Sequence, residues 1–153
     1  MDDKYEIDSV DRQILGILLQ DARTPFIEIA RKLIVSGGTI HQRVEKMKAA
    51  GIIEGSQITL NLKNLGFDVT VFIGVHLKSS KELSGVIKKL KAMPEVLEAH
   101  YTTGNYALLL KICTRSTSDF HRFLVDKLQP IEQVQATESF LSLDQPIKNR
   151  VVV

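Results

Sequence analysis

The sequence predicts an α+β chain in two parts, and three observations predict it. Apolar residues recur at helical spacing through most of the first fifty positions. From position 69 onward, period-two runs rich in β-branched residues alternate with helical runs in the order strand, helix, strand, strand, helix, strand. Between them lies a polar stretch, 61–66, with no clear period. A winged helix-turn-helix over 1–60, a linker over 61–66 and a ferredoxin-like βαββαβ domain over 67–153 account for this pattern.

Asp8, with Asp11 three residues on, opens the first helix as a capping box with Asp in place of Glu, and Val10, Ile14, Ile17 and Leu18 form its apolar stripe. Thr24-Pro25 restarts a helix, with Thr24 as the expected N-cap, and Phe26, Ile29, Ala30 and Leu33 face inward. Ile34–Ser36 is a connection so short that the next helix must cross steeply. That third helix starts at the N-cap Ser36, buries Ile40, Val44 and Met47, and stops at Gly51. Ile52-Ile53, a turn at 54–56 and the alternating 57–60 then read as a hairpin, the wing.

The third helix has two unlike faces. Opposite its apolar stripe stand Thr39, His41, Gln42, Arg43 and Lys46. From Arg31 to Lys48 there are five Lys or Arg against one acid, Glu45, a local balance of +4. A solvated face usually mixes both signs, so this one is read as entering a groove of double-stranded DNA. Arg43 suits a guanine edge or a phosphate, and Lys46 a phosphate. Ser36, Gly38 and Thr39 at the helix N-terminus suit phosphate contact. His41 and Gln42 reach bases or not according to the rotation of the helix.

In the second part, Val69–Leu77 is a strand, 83–90 a helix stopped by Pro94, and 96–103 a second strand. The chain turns at Gly104-Asn105, returns as 106–114, forms a helix through Phe120, Phe123, Leu124 and Leu128, and ends in a strand over 134–143. Both helices pack on one face of such a sheet. Phe72, Leu108, Leu110 and Ile112 imply apolar residues on both faces, so a second copy is expected to cover the open one as a two-fold dimer. A dimer also presents two recognition helices to two half-sites.

Composition excludes several classes. The net charge of +2 is too small to announce a nucleic-acid partner by itself, so any DNA-facing charge must be arranged locally. No apolar run approaches the roughly 20 residues that span a bilayer. The N-terminus lacks the apolar core of a signal peptide, and the single cysteine, Cys113, fits a reducing cytoplasm, where the protein is expected to reside. His76, His100 and His121 have no ligand spacing, so no metal is expected. No nucleotide loop, carboxylate pair or nucleophile elbow is present, and the chain is not read as an enzyme.

Several segments resemble the Lrp/AsnC family of leucine- and asparagine-responsive transcription regulators over almost the whole chain. They are Asp11-Arg12-Gln13-Ile14-Leu15, Ala22-Arg23, Thr39 to Met47, Gly51-Ile52-Ile53, Leu65-Gly66-Phe67-Asp68, Tyr101 to Tyr106 and Gln135-Ala136-Thr137-Glu138-Ser139. Thr39 to Met47 and Tyr101 to Tyr106 look most like the AsnC branch.

The resemblance implies an amino-acid effector, asparagine favoured, and no other cofactor. It also implies dimers that assemble further, often to octamers, with effector pockets between regulatory domains. Carried over by motif, Tyr101, Thr103, Gly104, Asn105 and Tyr106 would line the pocket, and Thr137, Glu138 and Ser139 would approach it from the last strand. Backbone N–H groups near Gly104 suit the effector's carboxylate, and Glu138 or nearby hydroxyls its ammonium. Without the resemblance, Gly104-Asn105 is simply a hairpin turn.

Two positions depart from the family pattern. Ile34 stands where a permissive residue is common, and a positive φ there would be costly. Gly37 stands where Pro is common, which softens the helix start. The rival reading is an architectural DNA binder whose C-terminal domain only oligomerises.

Overall fold

A computed structural model of the chain describes residues 5–149 and 151–153. It divides into two compact units, Met1–Thr59 with Ile147–Val153, and Leu60–Pro146.

The first unit contains α1 (Ser9–Gln20), α2 (Phe26–Leu33) and α3 (Gly37–Ala49). Its core is Ile14, Leu15, Ile29, Ala30, Ile40, Val44 and Met47, all but Leu15 from the anticipated apolar stripes. The capping box of α1 is formed: Asp8 Oδ1 accepts from the N–H groups of Val10 and Asp11, each at 2.9 Å, and Asp11 Oδ2 accepts from the Asp8 N–H at 3.2 Å. Thr24 does not cap α2. Its hydroxyl donates back to the Asp21 carbonyl at 2.8 Å, and Pro25 takes the N-cap position.

Ile34 ends α2 in the left-handed region, at φ 56° and ψ 46°, so the costly geometry is the one adopted. Gly51, at φ 70°, closes α3: its N–H donates to Lys48 O and the Ile52 N–H to Met47 O, each at 2.9 Å. This is a Schellman motif, and it explains why the expected wing hairpin over 52–60 is not formed. The N–H groups of Ile52 and Ile53 both bond the Met47 carbonyl, and both side chains pack on the helical core. Donors and side chains that would start a strand finish a helix instead.

The second unit is a four-stranded antiparallel sheet covered by helices, in the order β2-β3-β1-β4. Its elements are β1 (Val69–Leu77), α4 (Leu83–Lys91), β2 (Val96–Tyr101), β3 (Leu108–Thr114), α5 (Thr117–Arg122) running into a π-helical segment (Phe123–Leu128), and β4 (Val134–Leu141). This is the expected βαββαβ arrangement. Val71, Ile73 and Val75 of β1, with Leu108, Leu110 and Ile112 of β3, pack against Val86, Leu90, Phe123 and Leu128 of the helices.

The three β3 residues therefore belong to the covered face, not to both. The open face keeps Phe72 and Phe140, opposite each other in the β1–β4 ladder and 38% and 45% exposed. The loop between β2 and β3 is wider than a two-residue turn. Thr102 N–H donates to Ala107 O at 3.1 Å, and Gly104 is not among the positive-φ residues a tight Asn-Gly turn needs.

Candidate DNA-binding and ligand-binding sites

On α3, Ser36 caps the helix as expected. Its Oγ accepts from the Thr39 N–H at 3.1 Å and lies 2.8 Å from the Thr39 hydroxyl. Gly38, His41, Gln42 and Lys46 are exposed, and Thr39 is half-buried. His41 also meets the Phe26 ring edge-on, with centroids 5.9 Å apart, so part of it serves the joint between α2 and α3. Lys46 has no ion-pair partner among the described residues.

Arg43 is placed differently from expectation. Its Nη1 donates to Asp8 Oδ2 at 2.7 Å and to Asp11 Oδ1 at 2.9 Å, the two acids of the α1 capping box. Asp11 is 1% exposed and also accepts from the Tyr5 hydroxyl at 3.0 Å. The Arg43 guanidinium thus links the recognition helix to the start of α1, with its positive charge already met by two carboxylates. The Asp11 N–H, then Arg43, hold the Asp8 carboxyl below the usual carboxylate range, and the same pairings push the guanidinium pKa further up. Sequence patterning could not show this, because the partners lie 32 and 35 residues upstream. Lys46, and Arg31 and Lys32 in the last turn of α2, are instead exposed cations with no ion-pair partner among the described residues.

The residues expected to line the ligand pocket divide between the two faces of the sheet. Tyr106 lies on the open face, where its hydroxyl donates to Glu138 Oε2 and its ring packs against His76 and Phe140, with centroids 5.1 and 6.4 Å away. The Glu138 carboxylate that accepts this bond pushes the Tyr106 phenol up. Gly74 makes the contact possible, since a Cβ there would sit 2.4 Å from the Tyr106 ring. The signal for this platform was a glycine inside a β-branched strand.

Thr137 and Ser139 flank Glu138 but pair with Val75 and Ile73, so they turn to the helix-covered side at the β4 edge. Successive strand residues alternate faces, so 137, 138 and 139 cannot all address one site within a chain. Tyr101 is at the other edge, opposite Leu108, lining a groove of about 260 Å³ with Ile87, Leu90, Leu97 and Leu108. Thr103, Gly104 and Asn105 are exposed in the β2–β3 loop.

Residues 70–152 match the Lrp/AsnC ligand binding domain, and residues 7–48 match the AsnC-type helix-turn-helix domain. The chain belongs to the Lrp/AsnC family. It is 48% identical to the regulatory protein AsnC of Haemophilus influenzae over 143 residues, covering 94% of this chain and 95% of that one. The solved structure of AsnC from Escherichia coli is 44% identical and superposes with a TM-score of 0.94, over 97% of this chain and 100% of that one. The same fold occurs in a transcriptional regulator from Neisseria meningitidis solved as a complex with L-Met, at 23% identity and a TM-score of 0.89, over 97% and 96% of the two chains.

Family membership makes this chain a DNA-binding transcription regulator with a ligand-binding domain, as the helix-turn-helix pattern and the family resemblance implied. Among the described residues no cluster of His, Cys, Asp or Glu could hold a metal, and no helix is long and apolar enough to cross a membrane.

Proposed function

We propose that the chain is a cytoplasmic, sequence-specific regulator that reads duplex DNA with α3 and responds to a free amino acid, asparagine first, bound at the edge of its sheet domain. The observation that carries the DNA half is the outward face of α3, where a capped N-terminus leads into exposed His41, Gln42 and Lys46. Ser36, Gly38 and Thr39 suit phosphates at the helix start. Gln42 and His41 are the base readers, and Lys46 holds a phosphate. Arg43 fixes the angle of the helix rather than reading a base.

For the effector, the Tyr106–Glu138 pair supplies the anionic partner for an ammonium, and the exposed 103–105 loop supplies backbone N–H groups for a carboxylate. Tyr101, Thr137 and Ser139 lie away from that pair within one chain, so a second copy completes the pocket. That agrees with a two-fold dimer on the open sheet face through Phe72 and Phe140, and with assembly beyond it, toward an octamer. The N. meningitidis regulator's complex with L-Met supports a free amino acid as the ligand class, and the AsnC relatives support asparagine.

A thermal-shift panel of the twenty amino acids tests the effector. Ligand at about a hundred times its dissociation constant stabilises the native state by roughly 2.7 kcal/mol. Asparagine is expected to raise Tm in the wild type and not in Gly104→Val. No shift with any amino acid at millimolar concentration would leave the architectural role, oligomerisation without sensing.

A further inference from the structure

The regulatory domain carries a second stretch with the charge balance of the recognition helix. From Lys78 to Lys91 there are five lysines against one acid, Glu82, again +4. All five lysines are exposed. Whereas Arg43 is held by two aspartates and Lys48 by Glu45, none of Lys78, Lys81, Lys88, Lys89 and Lys91 has an ion-pair partner among the described residues. Lys89 donates to the neutral Gln133 side chain. The one acid does not offset them at the surface, because Glu82 is half-buried with its Oε2 fully buried.

Packing gives this charge a direction. Val86 and Leu90 are buried, with Leu83 and Ile87 partly buried, so α4 turns Ser84, Gly85, Lys88 and Lys91 outward. Lys81, in the 3-10 turn Ser80–Glu82 that runs into α4, extends the lysine row at its N-terminal end to about 15 Å, at about 1.5–2 Å per residue. Between its lysines stand Ser84 and Gly85, and a Cβ on Gly85 would meet nothing within 4 Å, so a bulky anion can approach the helix closely. Lysines in the last turn of a helix are explained by the macrodipole. Lys78 and Lys81 are not, since they stand at the N-terminal end, where positive charge is disfavoured. An external polyanion accounts for all of them.

We propose that the lysine face of α4 binds the phosphodiester backbone of duplex DNA flanking the site read by α3. Laid along the duplex, the face spans about four base steps at 3.4 Å of helix axis each. It adds affinity without base recognition, since it offers point charges and no planar donor sets. This inference rests on DNA binding through α3.

The test measures binding of full-length protein by fluorescence anisotropy across a salt series, on two duplexes sharing one central site. One duplex ends at the half-sites, and the other extends several helical turns beyond them. The variant is Lys78→Gln/Lys81→Gln/Lys88→Gln/Lys91→Gln. On the extended duplex its salt slope should be shallower by about 3, and its affinity at physiological salt lower by at least about tenfold. On the short duplex it should match the wild type, which also certifies its fold. Equal wild-type affinity for both duplexes, or an unchanged salt slope in the variant, overturns the proposal and leaves the face to an acidic protein. Equal loss on both duplexes overturns it too. If wild-type protein binds neither duplex, the α3 assignment falls with it.

Discussion

Arg43 and Lys46 are one turn apart on the same helix, yet the structure gives them opposite surroundings. Lys46 is exposed, with no ion-pair partner among the described residues, so Lys46→Gln should leave Tm within about 2 °C and lower the salt slope of DNA binding by about 1. Arg43→Gln removes the charge-assisted bond to buried Asp11, which costs about 1.5–3 kcal/mol of stability. Its effect on DNA should be loss of affinity without change in preference among operator sequences. A base-reading arginine would relax preference at one position instead, so a competition assay over single-base operator variants separates the two. The same pairing sets a pH response. The carboxyl of Asp8 is held below its unfolded value, so its stabilisation is complete above about pH 4 and is lost as pH falls through the folded value. Asp8→Asn keeps a good cap but should flatten the loss of Tm on acidification below that pH. Ile34 offers the converse experiment. It is 92% exposed and left-handed, so it has little packing to lose and backbone strain to relieve. Ile34→Gly should raise stability by about 1 kcal/mol in thermal denaturation.

Among the elements, β1 does two jobs because its residues alternate: Val71, Ile73 and Val75 anchor the core, while Phe72, Gly74 and His76 shape the open face. Gly74→Ala would force the Tyr106 ring off the sheet and away from Glu138. The Tyr106 phenol, now pushed up by that carboxylate, should then titrate nearer its ordinary value. Subtracting the ultraviolet titration of Tyr106→Phe isolates it, and an unchanged curve would show that the ring tolerates the methyl group. How legible each element was follows from where its determinants lie. The α1 cap, the Gly51 stop and the β1 alternation depend on neighbours within a few residues, and all were readable. The wing was not, because the helix cap consumed the donors of Ile52 and Ile53 in a competition that strand periodicity cannot weigh. The pairing of Arg43 was not, because its acids belong to another helix. Nor was the division of Thr137 and Ser139 from Glu138, because a linear motif does not show which face of a strand each residue takes.

At the scale of the whole molecule, the proposed pocket makes sensing and assembly a single equilibrium, because it needs a second copy on the open sheet face. If a second copy covers Phe72 and Phe140, Phe140→Glu should shift sedimentation toward monomer while leaving the helical and sheet signals of both units intact. The same variant should lose its response to asparagine even though it retains Tyr106 and Glu138, because the pocket is no longer completed. A monomeric variant that still gives the full asparagine shift would place the whole site within one chain and undo that link. Regulation needs one thing more. An effector changes DNA occupancy only as far as it binds the DNA-competent arrangement better or worse than the other. Linkage then demands reciprocity: whatever factor the saturating effector imposes on operator affinity, saturating operator DNA must impose on effector affinity. Titrating asparagine calorimetrically with and without operator measures that factor from the other side. A factor of one in both directions, alongside tight binding of both ligands, would leave a molecule that binds asparagine and DNA without coupling them.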